Sequence, residues 1–183
     1  MKSKLVMLHK PLSEIERCLK MLDRVRIREW LHEGPWLFPP YNIEGKEIKG
    51  FFGTGDVIFV CQRPSTAGGK YFTKPLDRGR IFYQLLAKYG LENAHLTDLV
   101  KCRGTGGEIN EDLVNNCFLY LKREIRILKP KLRVAVGNYV YRELRRRLRR
   151  YDIVKIPHYA SRNIKPEDLE KAIAEVAKRI KNI

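Results

Sequence analysis

Side chains able to hold, donate or accept a proton stand where apolar runs stop. Asp56-Val57-Ile58-Phe59-Val60-Cys61 breaks into Gln62-Arg63-Pro64-Ser65, and His95-Leu96-Thr97-Asp98-Leu99-Val100 breaks into Lys101-Cys102-Arg103. Asp152-Ile153-Val154-Lys155-Ile156 ends in Pro157-His158-Tyr159-Ala160-Ser161, and Leu132-Arg133-Val134-Ala135-Val136 ends in Gly137-Asn138. Short β-forming apolar runs of this kind are what buried parallel strands look like. All four deliver their polar ends to one rim, the carboxyl edge, where open α/β sheets bind ligands. An amide (Gln62), a carboxyl (Asp98) and an imidazole (His158) facing one ligand have the means to position water and move protons. Among the four histidines, only His158 lies at a strand's carboxyl end with a serine three residues on. His9, His32 and His95 read as surface or packing residues.

The elements that must position these groups follow from periodicity. Ser13-Glu14-Ile15-Glu16 is a capping box, opening a helix to about Glu33 with Ile15, Leu19 and Leu22 on one face. Gly34-Pro35 ends it. Trp36-Leu37-Phe38-Pro39-Pro40-Tyr41 reads as an irregular aromatic loop, either a lid packed on the core or a stacking surface for bases. Helical patterns over Arg80–Tyr89, Asp112–Leu128, Tyr139–Arg150 and Pro166–Lys181 alternate with the four strands. Alternation of this kind predicts an α/β fold, a three-layer α/β/α sandwich around a four-stranded parallel sheet. The 183 residues suit one domain, with the helix and loop over 1–50 and the α/β core over 51–183.

Lysine and arginine number 37 against 21 acidic residues, a formal charge of +16. That excess favours a polyanionic partner, nucleic acid before anionic membrane. No run is long enough to span a bilayer and the start lacks a signal-peptide core, so a cytoplasmic protein is expected. The four cysteines, Cys18, Cys61, Cys102 and Cys117, are scattered, as reduced thiols or metal ligands are. Gly104-Thr105-Gly106-Gly107 lacks the lysine of a phosphate-binding P-loop, and no Gly-x-Gly-x-x-Gly follows the first strand. Arg142-Glu143-Leu144-Arg145-Arg146-Arg147-Leu148-Arg149-Arg150 leaves Tyr141, Leu144 and Leu148 for the core; its cations read as a solvated face or as phosphate contacts.

In order, the strand endings resemble those of the uracil-DNA glycosylase superfamily, above all its thermophilic iron–sulfur branch. The similarity rests on Cys61-Gln62-Arg63-Pro64-Ser65, Thr97-Asp98-Leu99-Val100-Lys101-Cys102-Arg103, Lys129-Pro130-Lys131 through Gly137, and His158-Tyr159-Ala160-Ser161. The Val-Lys-Cys-Arg segment is its most specific piece. The composition, poor in Gln and rich in Lys, Arg, Glu and Ile, suits a thermophile.

The resemblance implies a glycosylase that extrudes a base from DNA into a pocket. Gln62 takes the place of the family's glutamate; its amide oxygen would orient a water, or the residue merely closes backbone bonds at a strand end. Arg63, an unusual neighbour, would disfavour a sugar cation but suit a phosphate. Phe72, with Tyr71 as rival, would be the aromatic floor under the base, unless it is a plain core residue. Asp98 replaces an asparagine that reads the base edge. An ionised carboxylate only accepts, so it would suit a base edge presenting donors and make plain uracil a poor substrate. Asp98 would otherwise serve as general base or cap the next turn. His158 would donate to the departing base. Arg63, Ser65, Lys101, Arg103, Ser161 and Arg162 would contact DNA, with Arg162 filling the gap left by the flipped base.

The family's cluster ligands map onto Cys18, Cys102 and Cys117, but Met21 stands where a fourth thiolate is required. No cofactor is therefore expected. The reading is a monomeric base-excision repair glycosylase with DNA as partner and no membrane association. The alternative is a nucleic-acid-binding protein that kept this fold without catalysis.

Overall fold

The computed structural model describes residues 38–64, 78–101, 109 and 111–183. The predicted helix over residues 13–33 lies outside them. Four parallel strands form the central sheet: β3 (Val57–Cys61), β4 (His95–Asp98), β5 (Leu132–Val136) and β6 (Ile153–Ile156). Their spatial order is β4-β3-β5-β6. Helices α1 (Arg78–Lys88), α2 (Glu111–Leu128), α3 (Asn138–Arg147) and α4 (Pro166–Lys181) cover both faces.

The alternation along β3 explains the layers. Val57, Phe59 and Cys61 join Phe82 and Leu86 of α1 and Ile173 and Val176 of α4 in one apolar cluster. Ile58 and Val60 join Leu121 and Ile125 of α2 and Val140 and Leu144 of α3 in the other. Successive strand side chains point to opposite faces, so a strand clad on both sides must be apolar throughout, and all five β3 residues are buried. The chain steps from β3 to β4 by way of α1 on one face, then returns past β3 to β5 and β6 by way of α2 and α3 on the other. The exits of the adjacent strands β3 and β5 thus diverge, the point at which open α/β sheets bind ligands.

One expectation fails in part. The aromatic loop gives way to a hairpin, with β1 (Tyr41–Ile43) paired antiparallel to β2 (Lys46–Ile48). Its turn residues Glu44 and Gly45 have φ of 52° and 79°, the two left-handed conformations of a tight hairpin turn. The paired prolines hid this short ladder, because the strand begins immediately after them. Phe38 and Tyr41 pack against the core, and the Tyr83 hydroxyl donates to the Pro39 carbonyl at 3.0 Å.

Candidate active site

The carboxyl ends of β3 and β4 are joined beyond the strands. The Leu99 N–H donates to the Cys61 carbonyl at 2.8 Å, and the Val100 N–H to the Gln62 carbonyl at 3.0 Å. These bonds hold the backbone of Gln62 beside the exit of β4, with its side chain and that of Arg63 half-buried. Pro64 is buried, and as a residue with no N–H it leaves no donor unpaired there.

Asp98 ends β4 directly across from Cys61. It is 5 % exposed, and among the described residues its Oδ1 has no hydrogen-bond partner. Burial lifts its pKa to about 8; the Lys101 ammonium pulls it back and Glu124 pushes it up. Asp98 is therefore mainly a neutral acid at pH 7, which corrects the premise of an ionised carboxylate. A neutral carboxyl carries one O–H donor and one carbonyl acceptor, the same pair that an amide carries. Burial first, then Asp98, raises the Cys61 thiol; burial, Cys61 and Asp98 raise the Tyr83 phenol. All three groups are uncharged at neutral pH.

His158 follows β6, beside the exit of β5. A Cβ built on Gly137, whose φ is 94°, would lie 3.3 Å from the His158 Cβ, so the end of β5 makes room for this side chain. The Ala160 N–H donates to His158 Nδ1 at 3.1 Å. An accepting Nδ1 leaves the proton on Nε2. Desolvation lowers the His158 pKa, which favours the neutral ring. The ring stacks on Tyr159 at 5.0 Å, and Tyr159 stacks on Phe82 of α1 at 4.8 Å. Tyr159 thereby links His158 to α1 in a three-ring stack.

Ser161 donates its N–H to the His158 carbonyl at 2.9 Å, and its own carbonyl accepts from the Arg78 guanidinium. Arg78, at the start of α1, had no signal in the sequence as a part of the site. Arg162 is exposed next to this loop.

Lys101 does not reach the carboxyl rim with its ammonium, contrary to its expected role as a phosphate contact. It is 3 % exposed, and its ammonium lies 2.7 Å from Glu124 Oε1 and 2.9 Å from Oε2. Thr97 Oγ1 donates to Glu124 Oε2 at 2.8 Å, and His95 Nε2 lies 3.5 Å from the same oxygen. Burial alone would raise the Glu124 carboxyl, but Lys101 and His95 outweigh it and hold it below its ordinary range. A lysine enclosed with its counter-charge has no free face for a phosphate. His95 is itself fully buried, with Nδ1 3.2 Å from the Gly53 carbonyl. Glu124 escaped sequence reading because a lone glutamate on an amphipathic helix looks like a surface residue.

Of the remaining candidates, Ser65, Tyr71, Phe72, Arg103, Cys18 and Cys102 lie outside the described residues. Cys117 is a buried thiol in the layer under α2 and α3. On α3 the arginine run is partly neutralised: Arg146 and Arg147 reach Glu111 at 2.6 and 2.8 Å and Glu143 at 2.8 and 3.1 Å. Val140 and Leu144 are the buried residues of that helix; Leu148 is buried just past its end, and Tyr141 is only half-buried. Among the described residues no helix is long and apolar enough to cross a membrane.

No curated protein matches the chain. A model of the uracil DNA glycosylase superfamily matches residues 51–181.

Proposed function

Because the chain belongs to the uracil DNA glycosylase superfamily, we propose that it hydrolyses the N-glycosidic bond of a damaged or deaminated base in DNA. The observation that carries this reading is the state of His158. Its Nδ1 is occupied by the Ala160 N–H, and burial keeps the ring neutral, so Nε2 presents a fixed donor at the rim. A preorganised donor aimed at developing negative charge is the largest single contribution such sites use.

The extruded base stacks on Phe72 or Tyr71. Neutral Asp98 meets its edge with one donor and one acceptor, so uracil itself becomes an acceptable substrate. Gln62 orients water toward the sugar. The bond from C1′ to the base nitrogen breaks with its electron pair leaving on the base, where the His158 Nε2–H stabilises it. Water adds at C1′ and its proton passes to solvent or to the base. The Val100-Lys101-Cys102-Arg103 segment supports kinship with the iron–sulfur branch, while Met21 supports a chain without the cluster. Arg63 beside Gln62 favours a second reading, a DNA-binding protein without catalysis, since a guanidinium there opposes a sugar cation.

An incision screen decides between the two. Labelled oligonucleotides carrying uracil, hypoxanthine, xanthine or oxidised guanine are incubated with protein, then cut at abasic sites by alkali. The expected outcome is cleavage of at least one, reduced about 100-fold or more in His158→Ala. No product from any substrate, with DNA binding intact, overturns the catalytic reading.

A further inference from the structure

At the amino ends of β5 and β6, the opposite end of both strands from Gly137 and His158, lies a cleft of about 400 Å³. Lys122, Arg126, Lys129 and Arg133 supply its charge, and Ile125, Leu148 and Tyr151 its apolar wall. Among the described residues none of these four cations has a carboxylate partner, in contrast to Arg146 and Arg147 nearby. The Arg133 guanidinium lies over the Tyr151 ring, 4.1 Å from its centroid, and its Nε is buried without a hydrogen-bond acceptor.

Lys129 adds an independent signal. It has φ of 50° at the end of α2, where its N–H donates to the Ile125 carbonyl at 2.8 Å. Glycine is the usual residue in that conformation, and a side chain there costs about 1 kcal/mol. A cation kept at a strained position at the mouth of a cleft suggests a role for the charge. The dipole of α2 favours Lys129 and Arg126 near its end, but it does not account for Arg133 on β5 or for the apolar wall.

We propose that this cleft is a second binding site, for a nucleotide carrying two or three phosphates. Its volume is that of a small-ligand site. Four cations with no carboxylate partner among the described residues match a polyphosphate, and the apolar wall matches a planar base; inorganic phosphate alone would leave that wall uncovered. DNA held across the carboxyl rim does not fill it, because the length of β5, about 13 Å, separates the two ends.

The test is calorimetric titration of the full chain at physiological salt with ATP, ADP, adenosine, pyrophosphate and a short single-stranded oligonucleotide. Saturable one-to-one binding of ATP or ADP is expected, with adenosine and pyrophosphate each at least about tenfold weaker. Lys122→Glu combined with Arg126→Glu, both at exposed positions, should weaken nucleotide binding about tenfold or more and leave the thermal midpoint unchanged. Pyrophosphate binding as tightly as ATP would show a bare polyanion patch and overturn the proposal. So would ATP binding unaffected by the double substitution, no ATP binding at millimolar concentration, or binding of the oligonucleotide alone.

Discussion

Gly137 and His158 are matched to each other: the backbone of one adopts a conformation that side chains rarely tolerate, and a Cβ added to it would lie 3.3 Å from the Cβ of the other, tighter than ordinary contact. Gly137→Ala should cost about 1–2 kcal/mol from the left-handed φ alone. It should also displace His158. Thermal unfolding checks the first part. Base excision falling further than binding checks the second, since a displaced donor acts in the transition state.

Asp98 gives a pH-dependent forecast. Its folded pKa of about 8 lies above its unfolded value. Its contribution to stability is therefore whole below about pH 4 and is lost as pH rises toward 8. Asp98→Asn should gain stability relative to the native chain across that window, reaching a few kcal/mol at its top, as measured by denaturant unfolding at several pH values. Activity on uracil should decline above about pH 8 in the native protein, as the donor is lost, and persist in Asp98→Asn. If Asp98 were instead the general base, the same variant would be inactive at every pH.

The buried pair of Lys101 and Glu124 should behave as a unit. Lys101→Met leaves a carboxylate without its counter-charge and should cost about 3–5 kcal/mol, while Lys101→Met with Glu124→Leu should recover much of that loss. Urea unfolding of the three variants measures the coupling. The salt dependence of DNA binding should be the same in the double variant as in the native chain, because this lysine meets no phosphate.

The formal charge of +16 forecasts DNA binding that is mainly electrostatic. Affinity for a generic duplex should fall about a thousandfold between 50 and 200 mM salt if six or more phosphates are neutralised. A flat response in fluorescence anisotropy would refute the claim.

Much of this architecture is legible in the chain because clad strands have to be apolar and helices have to show a period. β3 and β5 announce themselves in that way, and α4 begins at Pro166 and ends at Lys181 as its pattern predicts. The misses are of another kind. Ionisation depends on burial and on neighbours distant in sequence, so nothing in Thr97-Asp98 shows that the carboxyl is neutral. Lys101 looks like a rim cation in sequence and becomes a core residue only when Glu124, 23 positions later, is folded against it. Nothing in His158-Tyr159 shows that the tyrosine joins His158 to α1, because Phe82 lies 77 positions earlier in the chain.

The bond from Arg78 to the Ser161 carbonyl has a mechanical consequence. Arg78 is the first residue of α1, and the chain just before it carries Tyr71 and Phe72. Ser161 belongs to the turn that carries His158, and the Phe82–Tyr159–His158 stack ties the same helix to the same turn. The amino-terminal part of α1 and the turn that carries His158 are therefore bound to move together. Linkage makes such coupling reciprocal: whatever free energy α1 contributes to seating the turn, the turn returns to α1. Under the proposed chemistry, Arg78→Ala should thus lower the rate of excision more than it weakens DNA binding, because it loosens the turn that carries His158.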